Sequence, residues 1–198
     1  MTRLSLTMTS LTAALALAAC QSEAPSTDAG NGDLGLTNEA IPANDATKAP
    51  QQFAFTGGDG APLGSVTVTE DAAGLMLAVS ATGMPAGTHG IHLHEKGLCE
   101  GPKFESAGAH WNPSAKQHGR DNPAGAHLGD LLNLEVAADG SARTTVPIPG
   151  AMMASGATML ADADGTALVV HAKADDYKTD PSGASGDRIA CAVIAAPK

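Results

Sequence analysis

Between Gln52 and Ala195, apolar and polar residues alternate in short bursts that turn signals keep cutting off. Gln52–Thr56 alternates around Phe53 and Phe55, and Ser65–Glu70 reads Ser-Val-Thr-Val-Thr-Glu. Leu75–Ala81 carries Leu75, Leu77 and Val79 on one face, and Gly90–Glu95 sets Ile91 and Leu93 against His92 and His94. Leu132–Val136, Ala142–Ile148, Thr158–Asp162, Ala167–His171 and Ile189–Ala195 are further candidates. Gly57-Gly58-Asp59-Gly60, Asp139-Gly140 and Asp164-Gly165 separate many of them. A period of two puts alternate side chains on opposite faces of a strand, and Gly and Asp supply the turns. No segment holds a convincing helical period. About eight or nine short strands punctuated this way predict an all-β antiparallel sandwich or barrel.

Composition agrees. Charged residues are 16%, aromatics 3%, and there are 23 glycines, which argues against coiled coils and long surface helices. The 198 residues, 43% of them hydrophobic, suit one core with a tail. The formal charge of −10 argues against a nucleic-acid partner, which would need a basic face.

The N-terminus reads differently. Arg3 precedes an apolar stretch, Leu4–Ala19, that ends Leu17-Ala18-Ala19-Cys20. A basic start, an apolar run and small residues before the break read as a signal peptide. Its end resembles a bacterial lipobox, in which the cysteine becomes the lipid-modified first mature residue. A plain secretory signal cut near Ala19, or an amphipathic helix, is the alternative. Residues 1–19 are thus expected to be removed, and Cys20 is the expected lipidation site. Gln21 after it favours, by the same resemblance, an outer-membrane-anchored lipoprotein on the periplasmic side. The lipid on Cys20 is then the chain's only membrane contact. Residues 20–49, Ser-, Ala-, Asp-, Gly- and Pro-rich without periodicity, read as a flexible tether. The folded domain is expected at 50–198. Of three cysteines, Cys99 and Cys191 then remain, and two cysteines in an exported chain most often pair.

Two long stretches, Lys96–Gly129 and Ala172–Arg188, lack a strand pattern, and loops of that length in a compact domain are usually functional or disordered. All seven histidines lie between 89 and 171. The i, i+2 spacing of His92 and His94 on a strand turns both rings to one face, half of a metal site. His110, His118, His127 and Asp130 follow in the first long loop, and three His with one Asp suit a closed tetrahedral Zn²⁺ shell. His171 ends the strand Ala167–Val170 and can return to the His92/His94 face. His89 reads as a structural hydrogen-bonding residue, and Met152 and Met153 as packing residues.

At this point five segments, in order, resemble those of the copper/zinc superoxide dismutase family. Gly90–Glu95 (Gly-Ile-His-Leu-His-Glu) resembles its GFHVHE motif, and Ser106–Pro113 (Ser-Ala-Gly-Ala-His-Trp-Asn-Pro) its SAGxHFNP segment. Gln117–Gly119 with His127–Asp130 resembles its zinc loop. Leu168–Asp176 and Gly186–Ile194 complete the set, so the resemblance covers about residues 50–195. It implies a Greek-key antiparallel β-sandwich, or flattened barrel, of about eight strands with two long functional loops. It implies copper on His92, His94, His110 and His171, and zinc on His110, His118, His127 and Asp130, with His110 bridging both. Cys99 and Cys191 correspond to the family's intrasubunit disulfide, and Arg188 to its active-site arginine. Asp175 corresponds to the carboxylate linking a copper histidine to a zinc histidine. The implied activity is dismutation of superoxide anion, with Arg188 and His110 as catalytic residues, in a monomer or homodimer that protects the cell envelope. Trp111 and Ala109 depart from the family pattern, which usually has Phe or Tyr and Gly there. A copper store or zinc-only domain is the rival class. It uses the same histidines but has no need of an anion-guiding arginine.

Overall fold

The computed structural model describes residues 48–198. The expected signal segment, Cys20 and all but the last two residues of the expected tether lie outside the described residues.

Nine strands form there: β1 (Lys48–Gly57), β2 (Pro62–Asp71), β3 (Gly74–Ala81), β4 (Gly87–His89), β5 (Ile91–His94), β6 (Leu134–Val136), β7 (Ala142–Pro149), β8 (Thr166–His171) and β9 (Arg188–Ala195). One short 3-10 turn, Glu105–Ala107, is the sole helical element among the described residues. Seven strands make one curled antiparallel sheet in the order β5-β8-β9-β1-β2-β3-β7, and β4 pairs with β6 separately. β1 lies between its neighbour β2 and the last strand β9, a Greek-key crossing that sets the first and last described strands side by side.

The β2–β3 hairpin shows how local chemistry sets register. Asp71 Oδ1 accepts the N–H groups of Ala73 (2.7 Å) and Gly74 (3.1 Å), closing a turn that pairs Asp71 with Gly74. From that start Val68 faces Leu77 and Val66 faces Val79, and Leu77 in turn faces Val146 of β7. These residues are buried in one core with Phe55, Ile91, Leu93, Leu168 and Ile194, while Thr67, Ala78 and Thr145 share the opposite face. A one-residue slip would turn the whole apolar row outward.

β8 is buried on both faces. Leu168 and Val170 join the main core, whereas Ala167 and Val169 pack with Phe104, Ala107 and Cys191 in a second cluster. That second cluster seats the first long loop on the sheet.

The expectation differs from the structure in two elements. Thr158–Asp162 is not a strand but part of an irregular stretch between β7 and β8, joined by a single Met152–Met159 bridge. Its alternation comes from one fully buried residue, Leu160, and Asp162 Oδ1 soon diverts the chain by accepting from Asp164 (3.1 Å) and Gly165 (2.9 Å). β4, by contrast, carries no apolar alternation to reveal it and forms because Gly87–His89 pairs with β6. The two long loops are present as expected, the second ending where Arg188 opens β9.

Candidate metal centre

The loop after β5 returns along that strand's free edge. Trp111 N–H donates to Leu93 O (2.8 Å), Leu93 N–H to Gly129 O (2.9 Å), and Gly129 N–H to Trp111 O (3.0 Å). This lays His110 opposite His94 and Asp130 opposite His92. Gly129 is required here, since a Cβ would lie 2.7 Å from Leu93 O and 2.9 Å from Trp111 O. β8, on the other side of β5, delivers His171.

His92, His94, His110 and His171, all buried, thus bring one ring nitrogen each to within 4.8 Å of one another. Each ring is anchored through its other nitrogen. His94 Nδ1 donates to Gly108 O (3.0 Å), His171 Nδ1 to Gly186 O (3.1 Å), and His92 Nε2 to Asp175 Oδ2 (2.7 Å), while His110 Nδ1 lies 3.0 Å from Asp130 Oδ1. The nitrogens left over, His92 Nδ1, His94 Nε2, His110 Nε2 and His171 Nε2, are buried without a hydrogen-bond partner. Each such atom costs about 1–3 kcal/mol, so four together call for a ligand. Burial lowers the pKa of His94 to about 2, of His171 to about 3 and of His110 to about 4, and lowers that of His92 as well. The rings are therefore neutral, with lone pairs available, as metal ligation requires.

A second group lies beside the first. Around the single oxygen Asp130 Oδ1 stand His110 Nδ1 at 3.0 Å, His118 Nδ1 at 3.0 Å and His127 Nδ1 at 3.1 Å. Four donors held about 2.0 Å from one tetrahedral zinc lie about 3.3 Å apart, close to these separations. His118 Nδ1, unlike the other two, has no hydrogen-bond geometry to that oxygen and is buried without a partner. Asp130 Oδ2 is turned away and accepts from Gly119 N (2.9 Å) and His127 N (3.0 Å). His110, His118 and Asp130 form, with His92, a group whose donor atoms lie within 4.8 Å of one another, whereas His127 joins them through Asp130 Oδ1; the His92 ring packs on His110, centroids 4.0 Å apart, and its Nε2 is engaged by Asp175. Burial alone would raise the Asp130 pKa, but His110 and His118 beside it hold it far below the usual carboxylate range. Burial likewise lowers that of His118, and Asp130 and Asp175 outweigh it, raising it to about 9 in the metal-free protein. Two imidazole-rich groups sharing His110, one of them completed by a carboxylate, fit copper and zinc.

Asp175 spans both groups from outside. Its Oδ2 accepts from His92, and its Oδ1 from His118 Nε2 (3.0 Å) and from Tyr177 N–H (2.6 Å). Arg188 opens β9, half-buried, its guanidinium donating to Phe104 O and to Gly108 O at 2.6 Å each. Gly108 O therefore holds His94 and Arg188 in one register. Gly108 sits at φ 77°, ψ −153°, a backbone region open essentially to glycine alone. The Cys99–Cys191 disulfide ties down the segment that carries Phe104 and Gly108. His89 is buried, with Nδ1 2.8 Å from His171 O and Nε2 2.9 Å from Pro85 O. Met153 packs in the main core.

Three residues that the sequence did not single out join the two long loops: Asn133, Tyr177 and Asp180, whose Oδ1 accepts from His118 N–H (2.6 Å). Their partners are mostly backbone atoms, and no spacing announces such contacts. The one sequence signal is Asn133, a polar residue among the leucines that lead into β6.

The family described as copper/zinc superoxide dismutase matches residues 63–194. The "Superoxide dismutase [Cu-Zn]" of Caulobacter vibrioides is 46% identical over 140 residues, 69% of this chain and 80% of that protein. The crystal structure of a SOD-like protein from Bacillus subtilis superposes with a TM-score of 0.71 at 39% identity, covering 75% of this chain and 99% of that one. Cu/Zn superoxide dismutase from Brucella abortus superposes with a TM-score of 0.59 at 30% identity, covering 73% and 99%.

Proposed function

The chain belongs to the copper/zinc superoxide dismutase family, and from that premise we propose that it removes superoxide in the cell envelope, with copper on His92, His94, His110 and His171 and zinc on His110, His118, His127 and Asp130. The observation that carries this reading is the set of four buried, partnerless ring nitrogens beside a carbonyl-held arginine. Bound copper supplies the one-electron exchange, oxidising one superoxide to O₂ and reducing the next, and bound zinc supplies a fixed positive charge that does not change redox state.

The protein residues do the rest. Superoxide is an anion approaching a chain of net charge −10, so a local positive focus must overcome the overall repulsion. Arg188 provides it. Two of its nitrogens are fixed on carbonyls, and the remaining N–H donors of the fork stay available for the anion. His110 manages a proton. Its Nδ1 is held on the Asp130 side, so Nε2 is the nitrogen free to take up a proton and release it toward the reduced anion. The second proton needed for H₂O₂ comes from water. Burial makes an imidazolium at His110 acidic, which favours that release. Asp175 keeps the rings of His92 and His118 in the tautomer that leaves Nδ1 unprotonated.

The envelope location is supported by the signal-like segment and lipobox ending at Cys20. Fractionation of cells expressing the full chain tests it. Dismutase activity is expected in the membrane fraction of the wild type and in the released periplasmic fraction of Cys20→Ala. Activity confined to the cytosol in both would overturn the proposal.

A further inference from the structure

Behind the metal centre one side chain joins two segments that are distant in sequence. Asn133 immediately precedes β6, three residues after the ligand Asp130. Its Oδ1 accepts from the backbone N–H of Asp175 (2.9 Å), and its Nδ2 donates to the backbone carbonyl of the same residue (3.0 Å). The amide thus grips residue 175 at both of its main-chain polar groups, fixing its direction as well as its position. The ring closes through Tyr177, whose hydroxyl accepts from Asn133 N–H (2.9 Å) and whose own N–H donates to Asp175 Oδ1 (2.6 Å). Gly183 makes space for the carboxylate, since a Cβ there would collide with Asp175 Oδ1 and His118 Nε2.

We propose that Asn133 is a positioning residue for the metal pair: by clamping the backbone of Asp175 it aims one carboxylate at His92 and His118 together. The two histidines depend on that carboxylate unequally. His92 lies within β5, backed by β8 through the His92–Val169 pair and flanked by the Asp130 bridge. His118 lies on a loop, and its ring is anchored outside the ligand group by Asp175 alone. Loss of the clamp therefore releases the zinc group's His118 before it disturbs the copper group's His92. The inference rests on the metal assignment above.

The test compares wild type, Asn133→Leu and Tyr177→Phe, each full chain loaded with copper and zinc. Asn133→Leu keeps the side-chain size and removes both bonds to residue 175. Tyr177→Phe removes only the hydroxyl. Transfer of each metal to a chelating dye is timed, and metal-free melting is recorded alongside. Partners of metal ligands typically contribute about 10–100-fold to metal affinity. Asn133→Leu is expected to release zinc about tenfold faster or more, with copper release little changed, and Tyr177→Phe to show a smaller rise in the same ratio. A residue that merely stabilises the fold would speed both metals equally. Equal acceleration of both metals, or zinc release at the wild-type rate from both variants, overturns the proposal. A wild-type chain that takes up no zinc overturns the metal assignment along with it. Should Asn133→Leu fail to fold, the zinc-to-copper ratio in Tyr177→Phe decides.

Discussion

Replacing Cys99 and Cys191 together by alanine tests how the first long loop is held. The two residues are 92 apart in sequence, and the bond closes most of the folded domain into a loop. By the chain-entropy relation a loop of that length stabilises the fold by about 4.6 kcal/mol. At about 2–4 °C per kcal/mol for a domain of this size, the melting temperature should fall by roughly 9–18 °C. Cys191 sits at 1% exposure among Phe104, Ala107, Ala167 and Val169, so alanine keeps the site apolar and adds little packing loss beyond the bond itself. The same loop carries the carbonyls of Phe104 and Gly108 that hold Arg188, so the superoxide rate should fall as well. Calorimetry of the metal-free double variant beside the oxidised wild type measures the first effect, and decay kinetics of the metal-loaded pair the second. A melting shift under about 3 °C with an unchanged rate would refute the reasoning. The loop would then be held by its packing and backbone bonds alone.

Three further outcomes follow. His94, His110 and His171 have folded pKa values of about 2, 4 and 3 against an ordinary 6.5, so below pH 6.5 the unfolded chain binds protons that the fold refuses. The metal-free protein should therefore lose about 4 kcal/mol per pH unit as pH falls from 6.5 toward 4. His118 works oppositely: its folded value of about 9 gives stability that is complete below pH 6.5 and lost as pH rises to 9. Urea midpoints across pH should thus peak at about 7, and a flat profile from 6.5 to 5 contradicts the burial argument. Arg188→Ala should lower the superoxide rate constant about 10–100-fold, the worth of a hydrogen bond to a charged group. Arg188→Lys should recover part of it by restoring charge without the fork; equal rates in all three would remove the arginine from the reaction. Trp111 is the only tryptophan in the chain and follows His110 directly. Titration with Cu²⁺ should quench its fluorescence and Zn²⁺ should not, whereas insensitivity to copper would place that ion elsewhere.

Much of this architecture is legible in the sequence because its physics is local. Period-two alternation announces β2 and β3, and one strand carrying His92 and His94 announces half a site. The spacing of His110, His118, His127 and Asp130 announces the other half. What stays hidden depends on backbone atoms brought together by the fold. Gly108 O and Phe104 O hold Arg188, and the main chain of residue 175 is what Asn133 recognises. β4 has no apolar pattern and exists only through its partner, while the alternation at Thr158–Asp162 reflects one buried leucine. The strand order, with β1 between β2 and β9, follows from long-range pairing that no local pattern encodes; the family resemblance supplied only the Greek-key class.

The central claim is that the two groups sharing His110 make a copper centre that consumes superoxide. Following the ultraviolet absorbance of superoxide in the presence of the copper- and zinc-loaded protein tests it most directly. A second-order rate constant of roughly 10⁸–10⁹ M⁻¹s⁻¹, near the diffusional ceiling, is the predicted result, with loss of that rate in His171→Ala. Decay at the spontaneous rate, with copper bound to the protein in full, would contradict the account.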